Sequence, residues 1–145
     1  MTLNYQRILV GIDGSEISQR ALMEAVSVAK RNQATLLVAS VVPENEYASV
    51  AVGASIQMVE YEEHEATKLV NHAVKYAEEQ GVSQTVPLVR VANPRRELAL
   101  KLPADYKIDL IILGLTGKGT IGRLFMGSVA QYVSIHALCN VLLVK

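Results

Sequence analysis

The stretch that decides the fold reads Leu110-Ile-Ile-Leu-Gly114-Leu-Thr-Gly117, and nine residues further on comes Gly127-Ser128. The first four residues have the length and apolar character of a buried strand, and a helical pattern opens at Ser128. Glycines let backbone N–H groups approach a ligand closely, and a helix N-terminus adds free N–H groups and a positive dipole end. The order strand, glycine-rich loop, helix therefore predicts a nucleotide phosphate site.

Charge is distributed unevenly around this loop. Between residues 110 and 145 there is no Asp or Glu, and the basic residues are Lys118, Arg123 and Lys145. An acid-free loop favours an anionic ligand, although a short, mostly buried segment carries few charges in any case. Lys118 and Arg123 are compatible both with phosphate contacts and with a role in surface solubility, and both interpretations stay open.

The bulk composition predicts one domain spanning residues 1–145 with a full hydrophobic core, because half of the 145 residues are hydrophobic. Equal numbers of acidic and basic residues, 14 of each, give no support for a nucleic-acid partner. No signal peptide or bilayer-length apolar run is present, so we expect no membrane association. A single cysteine, Cys139, fits a reducing compartment, and we expect a cytoplasmic protein in which Cys139 is buried.

Apolar, β-branched runs alternate with helical patterns along the chain. The runs are nearly continuous, as in strands covered on both faces, and occupy residues 8–12, 36–42, 86–91, 110–113 and 141–144. The helical patterns begin at Ile17, at Ala66 (ending at a Gly81 cap), after Asn93-Pro94, and at Ser128. This alternation predicts an α/β fold, a single-domain doubly wound five-stranded parallel sheet of order 3-2-1-4-5 with helices on both faces.

Ligands of such sheets bind beyond the carboxyl ends of the strands where the strand order reverses, here between strands 1 and 4. Strand 1 ends in Gly11-Ile12-Asp13-Gly14-Ser15, and strand 4 ends in Gly114. Both loops are therefore expected at one crevice. Asp13 is compatible with a ligand contact there, and equally with a turn that caps the following helix.

Several local features complete the prediction. Ser128 and Gln131 have the spacing of a capping box, residues 43–55 lack a clear period and are expected to form a mobile loop, and the acidic residues between 60 and 65 are expected at a solvated helix start. His64 and His72 are interpreted as part of a solvated helix face. No Cys/His cluster is present, so no metal site is predicted.

Two better-known phosphate motifs do not fit. Residues 117–122 match G-x-G-x-x-G, but the helix begins only near Ser128 and no acid follows Asp109, as a dinucleotide site would require. The Walker A motif fails because its glycine-to-lysine spacing is absent.

The spacing Gly114-x2-Gly117-x9-Gly127-Ser128 resembles the G-2x-G-9x-G-S/T motif of the universal stress protein (UspA-like) family, in its ATP-binding branch. The resemblance covers the whole chain, from residues 8–15 to the final strand. It implies ATP as the ligand, with or without Mg²⁺, and no catalytic residue. It also implies ligand contacts for eleven positions: Gly11, Ile12, Asp13, Val41, Gly114, Thr116, Gly117, Gly127, Ser128, Val129 and Ala130.

Similar proteins dimerise through the last strand, so the resemblance also implies a homodimer through residues 141–144, an apolar sheet edge. The function expected first is an ATP-binding regulatory protein of stress adaptation, acting by nucleotide-dependent conformation or partner choice. The alternative is a slow ATPase or nucleotidyl-transfer enzyme in the same crevice, and a third interpretation is a dimerisation module that binds no nucleotide.

Overall fold

Five parallel strands form one sheet of order β3-β2-β1-β4-β5 in the computed structural model, which describes residues 4–44, 51–117 and 125–145. The strands are β1 Arg7–Gly11, β2 Thr35–Pro43, β3 Thr85–Ala92, β4 Leu110–Gly114 and β5 Asn140–Val144. The order and the parallel pairing confirm the predicted doubly wound α/β fold. Each strand lies within two residues of its predicted bounds. The central strands β1, β2 and β4 are mostly buried, which is why their apolar runs are nearly continuous.

Helices cover both faces of this sheet. They are α1 Glu16–Asn32, α2 Val52–Glu79, a helical stretch made of α3 Pro94–Arg96, a π-helical turn Glu97–Lys101 and α4 Leu102–Tyr106, and α5 Ser128–His136. Alternate residues of β1 point to opposite faces. Ile8 and Val10 pack in the core under α1 and α2, whereas Leu9 packs in the core under the π-helical turn, α4 and α5.

The turn after β1 is built from short polar side chains. Ser15 is the N-cap of α1, and its hydroxyl accepts a hydrogen bond from the Ser18 backbone N–H at 3.2 Å. Gly14 has a φ of 85°, a left-handed conformation that favours glycine. The predicted glycine at the end of α2 is also confirmed, since Gly81 follows the helix with a φ of 104°.

Helix α2 begins much earlier than predicted. It starts at Val52, so the expectation of a loop through residue 55 is wrong, as is that of a helix start at residues 60–65. Pro43 belongs to β2, and residues 45–50 lie outside the described ranges. Most side chains in the first half of α2 are exposed, so this part of the helix has no amphipathic period. Its Ala, Met, Gln and Glu residues favour helix by their intrinsic propensity.

Two smaller expectations also change. The capping box at Ser128 is wrong, because Gly127 is the N-cap of α5 and its carbonyl accepts from the Gln131 N–H at 2.9 Å. Cys139 is half-buried rather than buried, because it immediately precedes the edge strand β5. Among the helices of the described ranges, none has the length and apolarity needed to cross a bilayer.

Candidate functional site

A cavity of about 750 Å³ lies at the carboxyl ends of β1, β2 and β4. This is the switch point of the sheet, because β1 and β4 are neighbours while the chain runs from β1 outward to β2 and β3. All eleven residues singled out in the sequence line it: Gly11, Ile12, Asp13, Val41, Gly114, Thr116, Gly117, Gly127, Ser128, Val129 and Ala130. The fold thus brings together four segments that are up to 119 residues apart in the chain, from residue 11 to residue 130.

Asp13 holds its own turn in place. Its Oδ1 accepts a hydrogen bond from the Ser15 N–H at 3.0 Å, and its backbone N–H donates to the Ser18 hydroxyl at 3.3 Å. Because the cap of α1 is Ser15, the Asp13 carboxylate stabilises the turn without being the helix cap itself. Its second oxygen, Oδ2, lies on the side of Gly117: a Cβ added to Gly117 would be 2.9 Å from it.

The glycines of the site have two different roles. A Cβ on Gly11 would lie 2.7 Å from Leu113 Cδ2, and one on Gly114 would lie 2.5 Å from Ile17 Cγ2. These two positions are needed for packing between strands and helices. Gly117 instead faces Asp13 across the cavity wall.

The two halves of the glycine cradle, defined as residues 114–117 and 127–130, touch each other. The Gly127 N–H donates to the Leu115 carbonyl at 2.8 Å, and a Cβ on Gly127 would lie 3.3 Å from Thr116 Cα. The Leu115 N–H in turn donates to the Val144 carbonyl at 2.7 Å, which ties the cradle to β5. A backbone held this way presents a shaped, glycine-rich wall to the cavity.

Helix α5 begins at the edge of the same wall. Ser128 is exposed, Val129 is half-buried and Ala130 is buried. Within the described part of the chain, no side chain caps the helix start and its first turn has no acidic residue. The unpaired N–H groups and the positive end of the helix dipole are therefore available to an anion.

Sequence reasoning missed one whole wall of the cavity. We define the α2 wall as Glu62, Glu65, Lys68 and His72, which line the cavity opposite the cradle. Lys68 Nζ lies 3.2 Å from Glu65 Oε1. The interpretation of His72 as a merely solvated residue is incomplete, since it is exposed and also lines the cavity. The spacing of 62, 65, 68 and 72, in steps of three and four residues, follows one helix face and is the signal that could have revealed this wall.

The two cations that the sequence offers for phosphate contacts are not described by the structure. Lys118 and Arg123 lie outside the described residues. Within residues 4–44, 51–117 and 125–145, no group of three or more His, Cys, Asp or Glu side chains is arranged to hold a metal ion.

Fold and cavity together define a class: a doubly wound parallel α/β protein with a ligand-sized cavity at the switch point of its sheet. The model of the universal stress protein family matches residues 4–145, and the chain belongs to that family.

Individual relatives agree over nearly the whole chain. A Staphylococcus aureus (strain USA300) protein named for the universal stress protein family is 33% identical over 143 residues, covering 99% of this chain and 86% of that protein. The structure of universal stress protein UspA from Lactobacillus plantarum superposes with a TM-score of 0.91 at 28% identity, covering 99% of this chain and 100% of that one. A universal stress protein crystallised in complex with cAMP superposes with a TM-score of 0.70 at 26% identity, covering 99% and 98% of the two chains.

Proposed function

We propose that this protein is an ATP-binding regulatory protein of the universal stress type, in which ATP occupancy changes conformation or partner choice during stress adaptation. The observation that carries the proposal is the convergence of the glycine cradle, the Asp13 turn and the end of β2 on one cavity. Its volume, about 750 Å³, falls within the range of small-molecule sites.

The phosphates are assigned to the glycine cradle. Gly117 and Gly127 leave the backbone open to close approach, and the N-terminus of α5 offers N–H groups together with the Ser128 hydroxyl. The acid-free sequence from residue 110 onward supports the same assignment. Thr116 and the backbone around Gly114 complete this end of the site.

The adenosine is assigned to the other side of β1. Gly11, Ile12 and Val41 line the cavity there, together with Asp13, whose Oδ2 also reaches Gly117 of the cradle. The ends of β2 and β4 are two strand spacings apart, about 10 Å, so a nucleotide with its phosphates at β4 reaches β2 with its base. The related universal stress protein that was crystallised with cAMP, an adenine nucleotide, supports this choice of ligand class.

Magnesium is proposed only as a companion of the ATP phosphates. Mg²⁺ prefers carboxylate and hydroxyl oxygens together with phosphate oxygens. Asp13 is the carboxylate beside the cradle, and it would face such an ion. The bound ion would neutralise part of the negative charge of the phosphates.

The regulatory proposal includes a homodimer in the cytoplasm. Strand β5 lies at the edge of the sheet, with Leu142 37% exposed, and an unpaired strand edge is a template for antiparallel pairing with a second copy. The single cysteine fits the reducing cytoplasm.

A second candidate, a slow ATPase or nucleotidyl-transfer enzyme, is favoured by one observation. Although no acid follows Asp109 in the sequence, Asp13 Oδ2 lies beside Gly117 of the cradle. A carboxylate next to the proposed phosphates could accept a proton from an attacking water.

The first experiment is identification of the ligand. The purified protein is denatured with acid, and any released small molecule is identified by chromatography and mass spectrometry. Calorimetric titration with ATP, ADP and AMP follows on the emptied protein, with and without Mg²⁺. We expect ATP or ADP to be recovered and ATP to bind; absence of binding by all three nucleotides contradicts the proposal.

Turnover separates the two candidate functions. Phosphate release from ATP and Mg²⁺ is compared for the natural chain, Asp13→Asn and the control Asp105→Asn. Asp105 does not line the cavity, and its carboxylate forms an ion pair with Lys101 at 3.2 Å. If the protein is regulatory only, the natural chain releases phosphate no faster than the Asp13→Asn variant does. An enzyme loses its activity in Asp13→Asn and keeps it in the control.

A further inference from the structure

The α2 wall supplies four of the five ionisable side chains that line the cavity in the described part of the chain; the fifth is Asp13. The wall therefore decides much of the local charge. With Asp13 included, the lining has three carboxylates against one ammonium, that of Lys68. The α2 wall itself carries two of these carboxylates, Glu62 and Glu65, beside that ammonium.

The position of α2 in the fold shows which part of a nucleotide meets this wall. Helix α2 packs against β2 and β3, and β2 and β4 lie on opposite sides of β1. A ligand with its phosphates in the glycine cradle beyond β4 thus presents its base toward β2 and the α2 wall. This step rests on the function proposed above.

Lys68 donates a hydrogen bond to Glu65 on this wall, and an ammonium with three N–H donors and a carboxylate with two oxygens keep further donor and acceptor capacity for a ligand. Glu65 Oε1 and Lys68 Nζ are 3.2 Å apart, and their side chains are 43% and 55% exposed. The edge of a 6-aminopurine carries the complementary pair, an amino donor at N6 beside the acceptor N7. A 6-oxopurine has an acceptor in place of that donor, so its oxygen would face the Glu65 carboxylate without a proton between them.

We propose that Glu65 and Lys68 read the base edge of the bound nucleotide and select a 6-aminopurine over a 6-oxopurine. Glu65 accepts from the amino group at N6, and Lys68 donates to N7. Both side chains keep contact with solvent, so the selection is modest, and we expect about a fivefold preference, the size of one ordinary net hydrogen bond.

The test measures dissociation constants by calorimetry for ATP, for inosine triphosphate, which carries the 6-oxopurine, and for 7-deaza-ATP, which lacks the N7 acceptor. The variants are Glu65→Gln and Lys68→Met. Glu79→Gln and Lys75→Met are matched controls, because both residues are exposed on the same helix and neither lines the cavity.

We expect the natural chain and both controls to prefer ATP over inosine triphosphate about fivefold. Glu65→Gln loses that preference, because an amide can turn its NH₂ toward the 6-oxygen. The natural chain binds 7-deaza-ATP more weakly than ATP, and Lys68→Met removes this difference. The ratio of ATP to AMP affinity stays constant across the α2 variants.

Three results overturn the inference. An unchanged preference in Glu65→Gln shows that the wall does not read the base. A changed ratio of ATP to AMP affinity shows that Glu65 acts through its charge on the phosphates. Failure of the natural chain to bind any of these nucleotides overturns the proposed function, and the base reading with it, whereas either of the first two results leaves ATP binding intact.

Discussion

Asp13 and Gly117 face each other across the switch point of the sheet, with Asp13 Oδ2 only 2.9 Å from the position that a Cβ on Gly117 would occupy. Asp13 follows β1 and Gly117 follows β4, so this approach joins the two loops that the sequence singled out separately. The remaining Asp13 oxygen, Oδ1, is held by the Ser15 N–H. A carboxylate with one oxygen in its own turn and the other beside the opposite loop has little freedom to move away.

Gly117→Ala therefore tests the proposed site directly. The added methyl group meets Asp13 Oδ2 and displaces the loop, and we expect ATP affinity to fall about tenfold, with a larger loss in Gly117→Val. Calorimetric titration measures the affinity.

The control for this variant is Gly53→Ala on α2, where the added Cβ has no described atom within 4 Å apart from its chain neighbours and the backbone of its own helix. It should bind ATP normally and should not lower the free energy of unfolding, because alanine replaces glycine in the first turn of a helix without a clash. Unchanged ATP affinity in both Gly117 variants would mean that the phosphates lie elsewhere.

We expect Gly114→Ala to destabilise the fold. Its Cβ would lie 2.5 Å from Ile17 Cγ2, so the free energy of unfolding should fall by about 1–3 kcal/mol in urea denaturation. Ile17→Ala removes the obstructing methyl group. The double variant should be less destabilised than the sum of the two single changes, and strict additivity would show that the two residues do not compete for space.

Leu142→Lys tests the homodimer proposed through β5. Antiparallel pairing about the centre of Asn140–Val144 places Leu142 against its own copy, so two lysines would face each other there. Sedimentation analysis should show a dimer for the natural chain and a monomer for this variant.

Ile56→Lys serves as the matched control for the dimer, because Ile56 is 54% exposed on α2, far from β5 in the sheet order. It should remain dimeric. A natural chain that sediments as a monomer at micromolar concentration would contradict the dimer outright.

The Cys139 thiol should make the free energy of unfolding depend on pH in the alkaline range. Burial raises the pKa of its thiol from the ordinary value of 9.0, the Asp109 carboxylate adds to this effect, and a backbone hydrogen bond opposes it. Below pH 9 the thiol is protonated in both folded and unfolded chains and contributes nothing. Above pH 9 the unfolded chain releases the proton first, so the free energy of unfolding falls.

The measurement is urea denaturation at pH 8 and pH 10 for the natural chain and for Cys139→Ala. The natural chain should lose more stability between the two pH values than Cys139→Ala does, because only the natural chain carries this thiol. Equal losses would show that the folded thiol ionises as readily as the unfolded one.

Much of this molecule is predictable because the signals are local. The buried strands appear as apolar runs, and the handedness of the crossovers then restricts the order of the sheet. The glycine spacing that ends at Gly127 and Ser128 identifies the cradle from consecutive residues alone. The start of α2 is not predictable in this way, because an exposed helical extension has no hydrophobic period by which to recognise it.

The sequence by itself determined the strands, their order and the family, because the apolar runs and the glycine spacing can be recognised from residues that lie close together in the chain. Only the tertiary structure decided that Asp13 meets Gly117, that Gly114 is required for packing against Ile17, and that Glu65 and Lys68 form a wall of the cavity. These relationships join distant segments, and they depend on how loops and helices cross the sheet. Distances of that kind are set by packing, which no local pattern encodes.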